Sequence, residues 1–364
     1  MSNASNNINV TVKVNEFVNI ASTYIINTLS NSELSKFKMS QFLWGAPGLG
    51  KSDSIKSIAK IVSEETGKTV NITDVRLLLF NPVDLRGIPV ADANKEFAIW
   101  LKPQIFNMDP SDDVVNILML DELSAAPPSV QAAAYQITLD RKIGEHKLPD
   151  NCYVFGAGNR LQDKSVAYKM PKALANRLTH FEIQADLEDW KKWALSSGIN
   201  EQIIGFLNFR PDMLMKFDSS SDDNAFCTPR SWEMASNYIK VFGGIENAQP
   251  CIIGCIGVGA AGEFKNYTQV YTKLPNVEDI FNGKDIEMPK EPSILYALSS
   301  AISCRVQHCN KTQVENVLKF TEKMPAEFAV LTVKDILLVP KMREKLLKVQ
   351  QWIQWTKKYK DYIL

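Results

Sequence analysis

The segment Gly45-Ala46-Pro47-Gly48-Leu49-Gly50-Lys51-Ser52 constrains this chain more than any other. It fits G-x-x-x-x-G-K-[ST], a turn whose glycines let the backbone curl until several N–H groups face one phosphate chain. Its surroundings have the pattern such a turn requires. The apolar run Phe42-Leu43-Trp44 leads into it, and Ile55, Ile58, Ala59 and Val62 follow on one face of a helix that stops near Gly67. In that setting Lys51 would reach the β- and γ-phosphates of a nucleotide. The Ser52 hydroxyl would ligate Mg²⁺, and the helix N-terminus would face the same anion. Gly45 through Ser52, with Asp53 in the first helical turn, are the candidate nucleotide contacts.

Four further short apolar runs, at 70–75, 114–120, 153–157 and 179–183, alternate with helical patterns, one of them from about 128 to 140. That alternation predicts an α/β core with a mainly parallel sheet. After Ala185 helical periods dominate, which predicts a core over 1–185 and a helical region over 186–364. Residues 15–30 have helical spacing. Residues 1–9 are rich in Ser and Asn and are expected to be disordered. Between Asn81 and Pro103, Gly87 and Pro89 punctuate a stretch too irregular for a crossover helix. The turn-like 91–95 predicts a hairpin-like insertion there, and 144–151 is a second candidate insertion.

The run 114–120 ends in Asp121-Glu122. A buried apolar strand carries acids only where its end reaches a site. Asp121 there would hold Mg²⁺, and Glu122 would polarise an attacking water. Two acids after a strand are a weak signal alone, but they gain weight downstream of a phosphate-binding turn. Asn159 ends the next strand, in Gly156-Ala157-Gly158-Asn159-Arg160, and its amide can orient water and contact a γ-phosphate. A turn-forming Asn is the plain alternative.

Composition narrows the classes. With 41 Lys+Arg and 41 Asp+Glu in 364 residues the formal net charge is zero, which argues against a surface built throughout for nucleic acid. No apolar run is long enough to span a bilayer. The N-terminus lacks the basic-then-apolar layout of a signal peptide, so the cytoplasm is the default expectation. The six cysteines are scattered and lack CxxC-type pairing, which fits neither a disulfide framework nor a zinc site.

Together GAPGLGKS (45–52), DVRLLLFNPVDLRGIPV (74–90), ILMLDELSAAPPSVQAAAYQITLDRKIGEHKLP (117–149), FGAGNR (155–160), MPKALANRLTHFEI (170–183) and TPRSWE (228–233) resemble the AAA+ ATPases, and more closely the MoxR-type group. The resemblance implies an AAA+ P-loop αβα core with a parallel sheet, followed by an all-helical lid and a C-terminal helical extension. It implies ATP and Mg²⁺ as cofactors and an oligomeric ring, most often a hexamer. Residues 81–103 are similar to the family's helix-2 insertion, and the stretch near 141–151 to its insert before the sensor strand. Asn159 falls at sensor 1, Arg177 at the arginine finger and Arg230 at sensor 2. A guanidinium offers a rigid fork of donors for γ-phosphate charge. Arg177, late in the core, would serve the neighbour's nucleotide. An ordinary surface Arg is the alternative at both positions, and sensor 2 acts in cis or in trans in related groups. Arg86 has two readings, a client-facing residue or a local pair with Asp84.

The resemblance further implies Mg²⁺-dependent ATP hydrolysis used to remodel or activate a partner protein. A companion with a von Willebrand factor A-type domain is expected on a separate polypeptide. Two other readings stand beside this one. One is a nucleotide-gated scaffold with slow hydrolysis. The other is a DNA-associated AAA+ protein, such as a loader or defence component. The latter rests on the last helical stretch, from Lys341, where seven Lys/Arg interleave with Trp352, Trp355, Tyr359 and Tyr362. Such a stripe more often packs its aromatics and solvates its lysines.

Overall fold

The computed structural model describes residues 10–160, 163, 168–217 and 223–363; the N-terminal residues 1–9 lie outside the described residues. The chain divides into two compact units, Met1–Gln184 and Ala185–Leu364.

The first unit is built on six strands: β1 (Val10–Lys13), β2 (Ser40–Trp44), β3 (Thr69–Arg76), β6 (Val114–Asp121), β9 (Cys152–Gly158) and β10 (Leu178–Gln184). They form one sheet in the order β1-β10-β2-β9-β6-β3, every pair parallel. Parallel strands need crossovers, which place helices on both faces and bury the strands. Accordingly β9 is buried throughout and β6 is buried up to Asp121. On one face Phe17 and Thr28 of α1 (Val14–Ser30) meet Phe155 and Tyr153, beside α2 (Lys51–Thr66). On the other, Phe42, Leu118, Leu120 and Val154 pack with Leu85 of α3 (Pro82–Arg86), Val130 and Ala134 of α4 (Pro128–Tyr135) and Leu174 of α5 (Lys172–Ala175).

The helix expected to 140 is α-helical only to Tyr135 and continues as a π-turn over Gln136–Asp140. The expected insertion is an antiparallel hairpin, β4 (Ile88–Ala91) and β5 (Ala98–Leu101). It leaves α3 through Gly87, φ 92°, where a Cβ would lie 1.9 Å from the Leu101 carbonyl oxygen. The second insertion is a smaller hairpin placed slightly earlier, β7 (Lys142–Ile143) and β8 (His146–Lys147). It meets the first one, the His146 Nε2 lying 2.8 Å from the Trp100 carbonyl oxygen. Strand β1 was not anticipated. Its four residues offer too little alternation to register, and they are held by the edge of β10.

The second unit is helical: α6 (Leu187–Ser196), α7 (Glu201–Phe209), α8 (Pro229–Val241), α9 (Ile245–Ile256), α10 (Val258–Thr268), α11 (Val277–Phe281), α12 (Pro292–Arg305), α13 (Lys311–Thr321), α14 (Ala326–Leu338), α15 (Met342–Leu347), α16 (Gln350–Lys358) and α17 (Lys360–Ile363). Phe206, Trp232 and Phe264 form its aromatic centre, with ring centroids 5.5–5.7 Å apart. The stretch from Lys341, read as one helix, is three short ones. Two of its aromatics turn inward, Trp352 is half-buried and Tyr362 stays exposed. Trp355 is fully buried, stacks on Trp352 at 5.8 Å and donates to Thr321 Oγ1, and Tyr359 is buried beside it. Among the described residues no helix is long and apolar enough to cross a membrane.

An ion pair sits inside this unit. Lys191 of α6 and Asp335 of α14 are both fully buried, 2.5 Å apart, and Asn208 Nδ2 donates to the second Asp335 oxygen. Glu188, largely exposed, also pairs with Lys191 at 2.7 Å, so Lys191 keeps a partner without Asp335, whereas Asp335 without Lys191 is a charge stranded in an apolar interior. Lys191→Met is therefore expected to cost about 3–5 kcal/mol in urea unfolding, whereas Lys191→Met with Asp335→Leu should lose much less.

Candidate nucleotide site

The sheet register brings the carboxyl ends of β2, β6, β9 and β10 to one level. Trp44 pairs with both Gly158 and Glu182, and Leu120 pairs with Gly156. In open parallel sheets this rim, beside a strand-order reversal, is where ligands bind. Every segment singled out for phosphate chemistry, apart from those holding Arg177 and Arg230, emerges here.

The turn after β2 uses φ 79° at Gly48 and φ 84° at Gly50, the latter capping α2. Helix α2 then begins at Lys51, and its first-turn N–H groups have no helical carbonyl to serve. Lys51 Nζ reaches back over the turn, donating to the carbonyl oxygens of Gly45 at 2.6 Å and Ala46 at 3.0 Å, and to Asn159 Oδ1 at 3.0 Å. Ser52 Oγ donates to Asp121 Oδ2 at 2.7 Å, while Asp121 Oδ1 accepts from the Glu122 N–H at 2.8 Å. Asp53 is exposed on the same turn and pairs with Lys56 at 2.8 Å. Glu122 itself has φ 56°, a left-handed conformation that costs a non-glycine residue roughly 1–2 kcal/mol. It turns the chain sharply out of β6, and the next N–H, of Leu123, bonds the Ala157 carbonyl of β9. Asp74, on the neighbouring β3, has its carboxyl raised above the ordinary range by burial and then by the charge of Asp121.

Two features escaped sequence reasoning because they depend on register. Ser124 Oγ accepts from the Asn159 N–H at 3.0 Å and donates to the Asn159 carbonyl at 3.1 Å, pinning Asn159 beside Lys51. That approach explains the small residues of β9: a Cβ on Gly158 would lie 2.4 Å from Ser124 Oγ. Arg160 is held in cis, its guanidinium paired with Asp163 at 2.8 Å and Glu182 at 2.7 Å.

Arg177 stands at the other end of the sheet. It immediately precedes β10, and its Nη1 donates to the Tyr135 carbonyl at 3.3 Å while the guanidinium lies 5.3 Å from the Tyr135 ring. It lines an open cleft of about 260 Å³ with Lys38, Ser40, Thr138 and Asn176. Lys38 contacts the Tyr153 hydroxyl at 2.7 Å, and burial, then the charge of Arg141, lowers it to about 8. The five residues of β2 separate this cleft from Gly45, about 16 Å at ~3.3 Å per residue. Arg230 belongs to the second unit, exposed in the first turn of α8, where Thr228 caps the helix and bonds the Ser231 N–H. Asp84 caps α3, accepting from the Asn81 N–H at 2.7 Å, and no Asp84–Arg86 ion pair forms among the described residues.

Residues 40–180 match the model of the ATPase family associated with various cellular activities (AAA). That segment runs from β2 into β10 and contains the turn, Asp121, Glu122, Asn159 and Arg177. No curated protein sequence matches the chain. Among solved structures, C. elegans PCH-2 is 17% identical, over 79% of this chain and 68% of that one, with a TM-score of 0.36. A chain of the HORMA:CdnC:Trip13 complex of E. coli MS115-1 is 14% identical over 68% and 90%, TM-score 0.41. A Thermotoga maritima RuvB mutant is 13% identical over 83% and 89%, TM-score 0.36.

The clamp on Asn159 gives a direct expectation. Gly158→Ala must push Ser124 away, at a cost of roughly 1–3 kcal/mol in thermal or urea unfolding. Gly254→Ala, inside α9 with open space around its Cβ position, should instead raise stability by about 0.5–1 kcal/mol.

Proposed function

We propose that this chain is an oligomeric, Mg²⁺-dependent ATPase of the MoxR-like AAA+ type that uses its cycle to remodel or activate a partner protein. The observation that carries the reading is the meeting, on one rim, of Lys51 with Asn159 and of Ser52 with Asp121. A phosphate chain laid along the 45–52 turn would draw the Lys51 ammonium from the Gly45 and Ala46 carbonyls onto its own oxygens. Asn159, held by Ser124, would share the γ-phosphate and the attacking water. Glu122 would take the proton from that water, and its turned backbone fixes where the carboxylate leaves β6.

Magnesium fits the donors present. The Ser52 hydroxyl and the Asp121 carboxylate are hard oxygen groups already 2.7 Å apart, and Mg²⁺ prefers a few such ligands plus water and phosphate. Bound there, it would neutralise charge on the β- and γ-phosphates.

Arg177, a strand's length from its own turn, supports a trans role as arginine finger on the neighbour's nucleotide, which makes the working unit a ring, proposed to be a hexamer. Arg230 is proposed as sensor 2, and a separate von Willebrand factor A-type protein as the companion. The inward packing of Trp355 and Tyr359 takes two of four aromatics from the platform on which a single-strand-binding reading of the C-terminus rested, and so counts against that reading.

Turnover measured against protein concentration tests the proposal. Hydrolysis should require Mg²⁺ and its specific rate should rise with chain concentration. Lys51→Ala should lower it about 10²–10³-fold and Glu122→Gln about 10²–10⁴-fold while ATP still binds. A wild-type rate in either variant would overturn the assignment of the site, and a specific rate independent of concentration would overturn the trans role of Arg177.

A further inference from the structure

The two ends of the sheet are joined by one side chain. His180, on β10, is half-buried and lies between Trp44, the last residue before the turn, and α5, which leads into Arg177. The Trp44 indole Nε1 donates to His180 Nδ1 at 3.0 Å, and the two rings stack at 6.0 Å with 26° between their planes. His180 Nε2 lies 2.9 Å from the Ala175 carbonyl oxygen.

The partners decide the tautomer. An indole N–H is only a donor and a carbonyl only an acceptor, so Nδ1 must be bare and Nε2 must carry the proton. The ring is thus a neutral bridge that accepts at one edge and donates at the other.

Each neighbour of this bridge is itself tied to a residue of the proposed site. Next to Trp44, the Gly45 carbonyl accepts from Lys51 Nζ at 2.6 Å. At the far side, the last turn of α5 orders the finger. Leu174 O accepts from the Arg177 N–H and Lys172 O from the Asn176 N–H, both at 3.0 Å, and Ala175 O is the carbonyl that His180 takes. These are carbonyls that a helix end leaves without helical partners. Lys51, Gly45, Trp44, His180, Ala175 and Arg177 therefore form one continuous chain of covalent and hydrogen bonds inside a single protomer.

We propose that His180 is a positioning residue that couples nucleotide at a protomer's own 45–52 turn to the segment carrying its Arg177, and so to the site the next protomer would present. The inference rests on the reading that the turn binds ATP and that Arg177 acts in trans. Movement of Lys51 onto phosphate releases the Gly45 and Ala46 carbonyls. The change in the turn reaches Trp44, and the Trp44–His180–Ala175 bridge carries it to the backbone of Asn176 and Arg177. A path of this kind qualifies as coupling only when both ends bias it, so the test must read the far end while the near end is loaded.

Amide hydrogen exchange of 174–178 does so. It is measured with and without ATP·Mg²⁺ in a non-hydrolysing chain carrying Glu122→Gln and Arg177→Ala, the latter removing guanidinium contact with a neighbour's nucleotide. ATP should slow exchange over 45–52 and also change exchange at 176–177 by threefold or more. Adding His180→Phe should abolish the change at 176–177 and keep the response at 45–52. Trp44→Phe, which breaks the same bridge from its other end, should do likewise and serves if His180→Phe does not fold. Persistence of the 176–177 response in a folded bridge variant, or its absence in the parent chain whose 45–52 amides respond, would overturn the coupling. No response at 45–52 in the parent chain would instead overturn the nucleotide reading on which it rests.

Discussion

The central strands of a parallel sheet, buried on both faces, can carry charged side chains only where they end, and most of this molecule's chemistry follows from that constraint. β6 and β9 bury their lengths, with Asn116 satisfied by hydrogen bonds, and bring Asp121 and, immediately after β9, Asn159 to the carboxyl rim. β2 ends in the glycine turn between them and β10. The amino ends collect the opposite charge, with Arg177 and Lys38 lining one cleft. A single polarity of strands thus places Asp121, Glu122 and the glycine turn at one rim and Arg177 and Lys38 at the other.

The parts that were legible in the sequence are those with local causes. The 45–52 turn, the helix ending at Gly67, the buried strands and the 81–103 hairpin each carry their own glycine, proline or apolar signature. What stayed hidden depends on partners far along the chain. Lys191 and Asp335 are 144 residues apart, and Ser124 meets Asn159 only through the register of β6 on β9. His180 reads as one of several polar residues alternating along β10 until the diagonal contact with Trp44 appears. The C-terminal stretch misled for a related reason. Val349 is extended and Tyr359 departs from helical geometry, so the helical period is cut twice and Trp355 and Tyr359 reach the core.

The family match covers the first unit from β2 into β10 and leaves the helical second unit outside it. Each unit nevertheless has its own centre, the second around Phe206, Trp232, Phe264 and the Lys191–Asp335 pair. On the proposed reading, the first unit holds two halves of a reaction centre that face opposite ways. The carboxyl rim supplies binding, water activation and the metal ligands. The amino-end cleft supplies positive charge for a neighbouring copy. Neither half is complete in one chain, so assembly would be a condition of turnover.

The most direct measurement is a mixing experiment between two variants with different defects. Lys51→Ala retains Arg177, and Arg177→Ala retains the 45–52 turn. If the centre forms between chains, each variant alone should be nearly inactive. A mixture should recover turnover far above both, because an intact turn then meets an intact finger. If the mixture hydrolyses ATP only at the average of its two components, Arg177 does not complete a neighbour's site and the account of a shared centre is wrong.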